Sequence, residues 1–108
     1  MAREQLQTLT EPMYYILLAL TEECCGVDIM ERVKKISGGR VTVGPGTLYA
    51  MLAKFEEKEI IRLTASEGRR KSYVITDAGR EELNKEYNRL KKMSLLRAYD
   101  NYGIDVSY

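Results

Sequence analysis

The sequence predicts a mainly α domain with a small β-wing: a winged helix-turn-helix followed by a long C-terminal dimerisation helix. Three observations predict it. Gly44-Pro45-Gly46-Thr47-Leu48-Tyr49 opens a stretch in which Leu48, Met51, Leu52 and Phe55 fall at i, i+3, i+4 and i+7, one buried stripe of a helix. Two short apolar runs flank Glu67-Gly68-Arg69-Arg70-Lys71, the pattern of a cationic hairpin. From Thr76 onward a long charged stretch carries only the narrow stripe Leu83, Tyr87, Leu90 and Met93, which a second copy of the same helix would cover.

The elements follow in order. Thr10-Glu11-Pro12 is a helix start, with Thr10 as N-cap and a proline in the first turn, where its missing N–H costs nothing. The first helix is expected to run to about Glu23, burying Ile16, Leu17, Ala19 and Leu20; Tyr14 and Tyr15 cannot both enter that core, so one is free for a partner. Gly26 interrupts, and Val27 to Ile36 forms a second helix ended by Ser37-Gly38-Gly39. Val41 and Val43 alternate with Thr42 and allow a very short strand before the third helix at Gly44-Pro45. Segments 62–66 and 72–75 pair as antiparallel strands around the glycine-tipped turn. Thr76-Asp77-Ala78-Gly79 caps the last helix, whose pattern weakens from Ser94. The domain division is therefore 1–76 for the winged helix-turn-helix with its N-terminal extension, 77–97 for the dimerisation helix and 98–108 for a flexible tail.

A chain of 108 residues with 44% apolar residues suits one core. Its formal charge of +1 conceals an uneven distribution. Residues 1–31 hold 1 basic against 6 acidic side chains, residues 32–71 hold 10 against 4, and residues 72–108 hold 6 against 6. The basic middle contains both the third helix and the hairpin, which makes double-stranded DNA the first partner to consider. The apolar run from Met13 to Leu20 is too short to span a bilayer, and an acidic segment precedes it where a secretory signal would be basic. A cytoplasmic protein without membrane contact is expected. Adjacent Cys24 and Cys25 fit reduced thiols rather than a disulfide framework.

These residues resemble the PadR-type transcriptional regulators. The resemblance runs through residues 9–20, Ser37-Gly38-Gly39-Arg40-Val41 and Gly44–Tyr49 to Arg69-Arg70-Lys71-Ser72-Tyr73-Val74-Ile75-Thr76-Asp77-Ala78-Gly79, covering about residues 9–93. Gly-Thr-Leu-Tyr alone is a weak signal; followed at this distance by Arg-Arg-Lys-x-Tyr-x-Ile-Thr-x-x-Gly it is a strong one. The resemblance implies a homodimer on palindromic operator DNA, usually a repressor released by a small ligand or another signal. The short length is similar to the branch with a single C-terminal dimerisation helix. Carried over by motif, Thr47 and Tyr49 lie on the recognition helix against DNA, and Arg69, Arg70 and Lys71 on the wing. The chain departs from the family in having Val27 where an aromatic is common and no Trp at all, so a flat Trp-lined drug pore is not expected.

The candidate DNA-binding residues are Arg40, Pro45, Thr47, Tyr49, Ala50, Lys54, Arg69, Arg70 and Lys71. Thr47, Tyr49 and Ala50 lie off the buried stripe in the opening turns, where a recognition helix meets the major groove. The Thr47 and Tyr49 hydroxyls suit phosphate oxygens, and the absence of Arg, Asn or Gln from those turns leaves little direct base readout. Plainer alternatives stand beside these roles: a solvated turn for the three wing cations, surface packing for Tyr49, a helix-start role for Thr47, solvent for Lys54 and a free loop cation for Arg40. Leu83, Tyr87, Leu90 and Met93 are the candidate dimer interface. Tyr14, Tyr15, Tyr87 and Tyr99 either pack at that seam or line a cavity between the first helix and the last helix of the partner, for a small aromatic or hydrophobic effector. Cys24 and Cys25 read as a small buried residue and a loop thiol, the other reading being an oxidant or soft-metal sensor. No metal or cofactor is assigned: with no His, a four-ligand zinc site would need cysteines from two subunits or carboxylates. The same lack of a His base, with no phosphate loop and no paired carboxylates in an evident pocket, argues against an enzyme. The rival to a DNA-binding regulator is a winged-helix protein-interaction module without specific DNA binding.

Overall fold

The computed structural model describes residues 9–102, with side-chain surroundings through Met93. Helix α1 spans Glu11–Ala19, strand β1 Cys24–Cys25, α2 Gly26–Ile36, α3 Pro45–Glu57, β2 Ile61–Glu67, β3 Arg70–Ile75 and α4 Asp77–Tyr102. The strands form one antiparallel sheet in the order β1-β3-β2. Four helices and this small sheet are a winged helix-turn-helix with a long last helix, as the sequence predicts.

Local chemistry sets each boundary. Thr10 caps α1, its Oγ1 accepting from the Met13 N–H at 3.4 Å. The helix ends at Ala19, short of the expected Glu23. Leu20 closes the last turn onto the carbonyls of Ile16 and Leu17, Arg32 of α2 donates to the Ala19 carbonyl at 3.0 Å, and the Leu20 carbonyl accepts from Ile75 of β3 at 2.8 Å. The backbone beyond is drawn into the sheet: Cys24 pairs with Tyr73 and Cys25 with Ser72. The third strand is therefore β1, and Val41–Val43 form none. Ser37 engages the backbone of Val41 instead, its Oγ accepting from the Val41 N–H at 3.0 Å and lying 3.2 Å from the carbonyl oxygens of both Val41 and Lys34, while Val41 and Val43 fill the core.

The core is built from Ile16, Leu17 and Leu20, from Ile29 and Val33, and from Leu48, Leu52, Phe55 and Ile61, all essentially inaccessible. Leu83 belongs to this core as well, at 7% exposure, so the first position of the expected dimer stripe is used within the domain. Its helix continues in regular form to Tyr102, past the weakening pattern at Ser94; the part of the expected tail at 103–108 lies outside the described residues.

One junction holds α3, the wing and α4 together. Glu59 turns the chain with φ of 60°, and the Thr76 hydroxyl lies 2.7 Å from the Glu59 carbonyl and 2.9 Å from that of Ile60 while accepting from the Gly79 N–H at 3.1 Å. The Thr76 N–H also donates to the Ile60 carbonyl at 2.9 Å. A Cβ on Gly79 would stand 2.2 Å from the Ile60 carbonyl oxygen and 2.6 Å from the Ile75 side chain, so only glycine lets α4 approach. The neighbour is backbone and cannot swing aside. Gly79→Ala is expected to destabilise the domain by at least about 2 kcal/mol, read from urea unfolding; an unchanged midpoint would show that the junction is loose.

Candidate nucleic-acid interface

Helix α3 begins on an N-cap glycine that contributes no side chain, with Pro45 in its first turn. Leu48, Leu52 and Phe55 face the core, which turns Pro45, Thr47, Tyr49, Ala50 and Lys54 outward; all five are exposed. The off-stripe residues thus share the outer surface that the periodicity assigns them.

The wing stands beside this surface. In β2–β3, Glu67 pairs with Arg70 across Gly68-Arg69, and Gly68 carries φ of +59°, the conformation a two-residue hairpin with a leading glycine requires. The register shifts between Leu63 and Ala65, leaving Thr64 as an extra residue in β2, a bulge that increases local twist. Its hydroxyl is covered and without a hydrogen-bond partner among the described residues.

Between wing and helix lies an open groove of about 330 Å³, lined by Cys25, Gly26, Val27, Tyr49 and the three wing cations Arg69, Arg70 and Lys71. The sheet creates it: pairing β1 with β3 sets the start of α2 beside the wing. Tyr49 lies with its ring across Gly26 and remains 48% exposed, so it is neither a core residue nor a free one. Arg70 makes an ion pair with Asp28 in the first turn of α2 at 3.8 Å, and the Cys25 thiol donates to the same carboxylate oxygen at 3.1 Å. Arg69 and Lys71 have no acidic partner among the described residues. The groove accordingly has a cationic wall, a phenol and a helix start, a set suited to the oxygens of a polyanion.

A family model for the PadR-like transcriptional regulators matches residues 16–85. The chain belongs to this family. A PadR-like transcriptional regulator from Bacillus cereus superposes with a TM-score of 0.68 at 24% identity, over 84% of this chain and 91% of that one, and the likeness supports the fold. Bacillus subtilis PadR, solved in complex with operator DNA, gives a TM-score of 0.58 at 28% identity, over 67% of this chain and 44% of that one. A curated relative, an uncharacterised 37.1 kDa protein in transposon TN4556 of Streptomyces fradiae, is 36% identical over 69 residues; the chain spans 19% of its length. The PadR-like family is one of transcriptional regulators rather than of enzymes. Among the described residues no helix is long and apolar enough to cross a membrane.

For this PadR-like chain the remaining candidates divide. Arg40 does not line the groove; its guanidinium is paired with Glu11 at 2.9 and 3.1 Å on the rim of a second cavity. That cavity, of about 360 Å³, lies between α1 and α4 and includes Tyr14, Tyr15, Glu86, Arg89 and Leu90. The two tyrosines meet edge to face with centroids 6.0 Å apart, and both are half-buried, so the expected division into one inward and one free ring does not occur. Burial is the main cause that pushes the Tyr14 phenol up, followed by Tyr87, Tyr15 and Glu86. Tyr87 is exposed and not part of the cavity wall, and the side chain of Tyr99 lies outside the described residues. Cys24 and Cys25 are both buried on β1, so Cys25 is no loop thiol; burial raises the Cys24 thiol, which disfavours its reactive thiolate. Sequence reasoning does not single out Gly26, Val27, Asp28, Glu86 or Arg89 as site residues. The glycine opening α2 is the only local signal among them, because their neighbours arrive through sheet pairing and helix packing.

The Glu86–Arg89 pair gives the second cavity a pH signature. Hydrogen bonds from Arg89 hold the Glu86 carboxyl below its ordinary value, against an opposing push from burial. A depressed folded-state pKa contributes stability that is complete above the unfolded glutamate value, about 4.3, and is lost as pH falls through the folded value. Glu86→Gln should therefore be less stable than the parent at neutral pH, and the two should converge in acid. Unfolding midpoints that stay equally separated down to about pH 3 would contradict the pairing.

Proposed function

We propose that this chain is a homodimeric DNA-binding transcriptional regulator, acting as a ligand-responsive repressor on a palindromic operator. The observation that carries the reading is the groove that joins Tyr49 of α3 to Arg69, Arg70 and Lys71 of the wing. The wing cations would take phosphates or enter a narrow minor groove, where arginine is favoured. Thr47, Ala50 and Lys54 would meet the major groove or its edge, with hydroxyls positioning the domain more than reading bases. Support also comes from the Bacillus subtilis relative solved with operator DNA. A DNA-binding regulator of this kind would act in the cytoplasm, where it can reach its operator.

Dimerisation falls to α4. Tyr87, Leu90 and Met93 are exposed large apolar side chains on one long helix, and a second copy would cover them. The cavity between α1 and α4 would take the effector, a small aromatic or hydrophobic compound, against Tyr14, Tyr15 and Leu90, with Arg40, Glu86 and Arg89 available to a polar substituent.

Fluorescence titration with sheared DNA at two salt concentrations tests the reading. Binding should be strong at low salt and fall steeply as salt rises; its absence at low salt would sink the proposal. Arg70→Ala should weaken binding to all sequences alike and flatten the log–log salt slope by about one unit. For assembly, Leu90→Asp should shift the sedimenting species from dimer to monomer. A wild-type chain that already sediments as a monomer, or a Leu90→Asp variant that stays dimeric, would remove α4 from the seam.

A further inference from the structure

Gly26 is the first residue of α2, and its backbone is the floor on which the Tyr49 ring rests. A Cβ built there would lie 2.6 Å from the Tyr49 hydroxyl oxygen, 3.1 Å from Cζ and 3.2 Å from Cε1, all inside the 3.4 Å at which ordinary contact begins. Backbone conformation does not demand glycine, since Gly26 is absent from the positive-φ residues that include Gly38, Gly39 and Gly68. Helix propensity disfavours it too, alanine being the better helix former. What glycine supplies is room for one ring.

We infer that Gly26 is a positioning residue for the DNA interface: by admitting the Tyr49 ring against α2, it fixes the Tyr49 hydroxyl in the groove facing Arg69, Arg70 and Lys71. The inference rests on the DNA-binding reading of that groove. Tyr49 reaches out from α3, the wing cations come from the hairpin, and Gly26 opens α2, so three parts of the fold meet at one place. With the ring seated, the phenol is held before DNA arrives, and the cost of ordering it on binding is already met. The obstructing atoms are the far end of a flexible side chain, so added bulk at position 26 displaces the ring and leaves the fold intact.

A double-mutant cycle on the full chain tests this, using a labelled duplex of arbitrary sequence at low salt and ring-¹³C tyrosine. In Gly26→Ala the Tyr49 ring resonance, assigned by its absence in Tyr49→Ala, should shift in the free protein, and duplex affinity should fall about tenfold, the scale of one hydrogen bond to a charged group. In the Tyr49→Ala background the same glycine change should have no further effect, because no ring remains to displace. An unmoved ring resonance in Gly26→Ala would overturn the inference. So would an equal loss of affinity from the glycine change with and without the ring. If no variant bound DNA, the wild type included, the DNA reading and with it the inferred role would fall, while the ring resonance would still report whether Gly26 places Tyr49.

Discussion

The fold turns on a point where a side chain is forbidden. At Gly79 the carbonyl oxygen of Ile60 occupies the space that a Cβ would fill, and the Thr76 hydroxyl gathers the carbonyls of Glu59 and Ile60 and the N–H of Gly79 around the same spot. Helix α3 ends there, β2 begins there, and α4 departs from there. A close backbone contact in a packed core is stiff, so the direction of α4 is fixed relative to α3 and the wing. In a dimer built on α4, that direction sets the distance between two DNA-facing surfaces. In such a dimer, specificity would depend on this junction as well as on the residues that face DNA.

The candidate interface follows the same logic on a smaller scale. The wing supplies charge, α3 supplies hydroxyls, and the first turn of α2 brings them together: Gly26 lies under Tyr49 and Asp28 reaches Arg70. Two of the three wing cations have no acidic partner among the described residues, so like charges are held close with little to offset their repulsion. An approaching phosphate backbone would relieve that repulsion, which connects the local electrostatics to the salt dependence expected of the proposed binding.

Much of this is legible in the chain, and the exceptions have a common cause. Thr10, Pro45 and Thr76 announce helix starts through local chemistry; Leu48, Leu52 and Phe55 repeat at helical spacing; Gly68 marks a turn. Each of these signals lies within a few residues of the element it predicts. Strand β1 is only two residues long and exists because β3, nearly fifty positions later, pairs with it. Val41 and Val43 mimic a strand, but Ser37 takes the N–H and carbonyl of Val41, two of the backbone groups that a partner strand would need. Leu83 looks like the start of a dimer seam until α4 is seen packed against the domain's own core, and Arg40 looks free until α1 brings Glu11 beside it. Gly26 and Asp28 likewise enter the candidate interface only when β1 pairs with β3 and carries the start of α2 to the wing. Adjacency made by long-range packing leaves no local mark.

In the proposed dimer, two copies would present their α3–wing surfaces at a fixed separation. Hydroxyl-radical footprinting of the wild-type protein on a genomic fragment selected for binding measures this directly. Two protected patches related by a two-fold axis are predicted, with centres one helical turn apart, ~34 Å, or a multiple of it. A single unpaired patch, or uniform cleavage at protein concentrations that saturate the fragment, would contradict it.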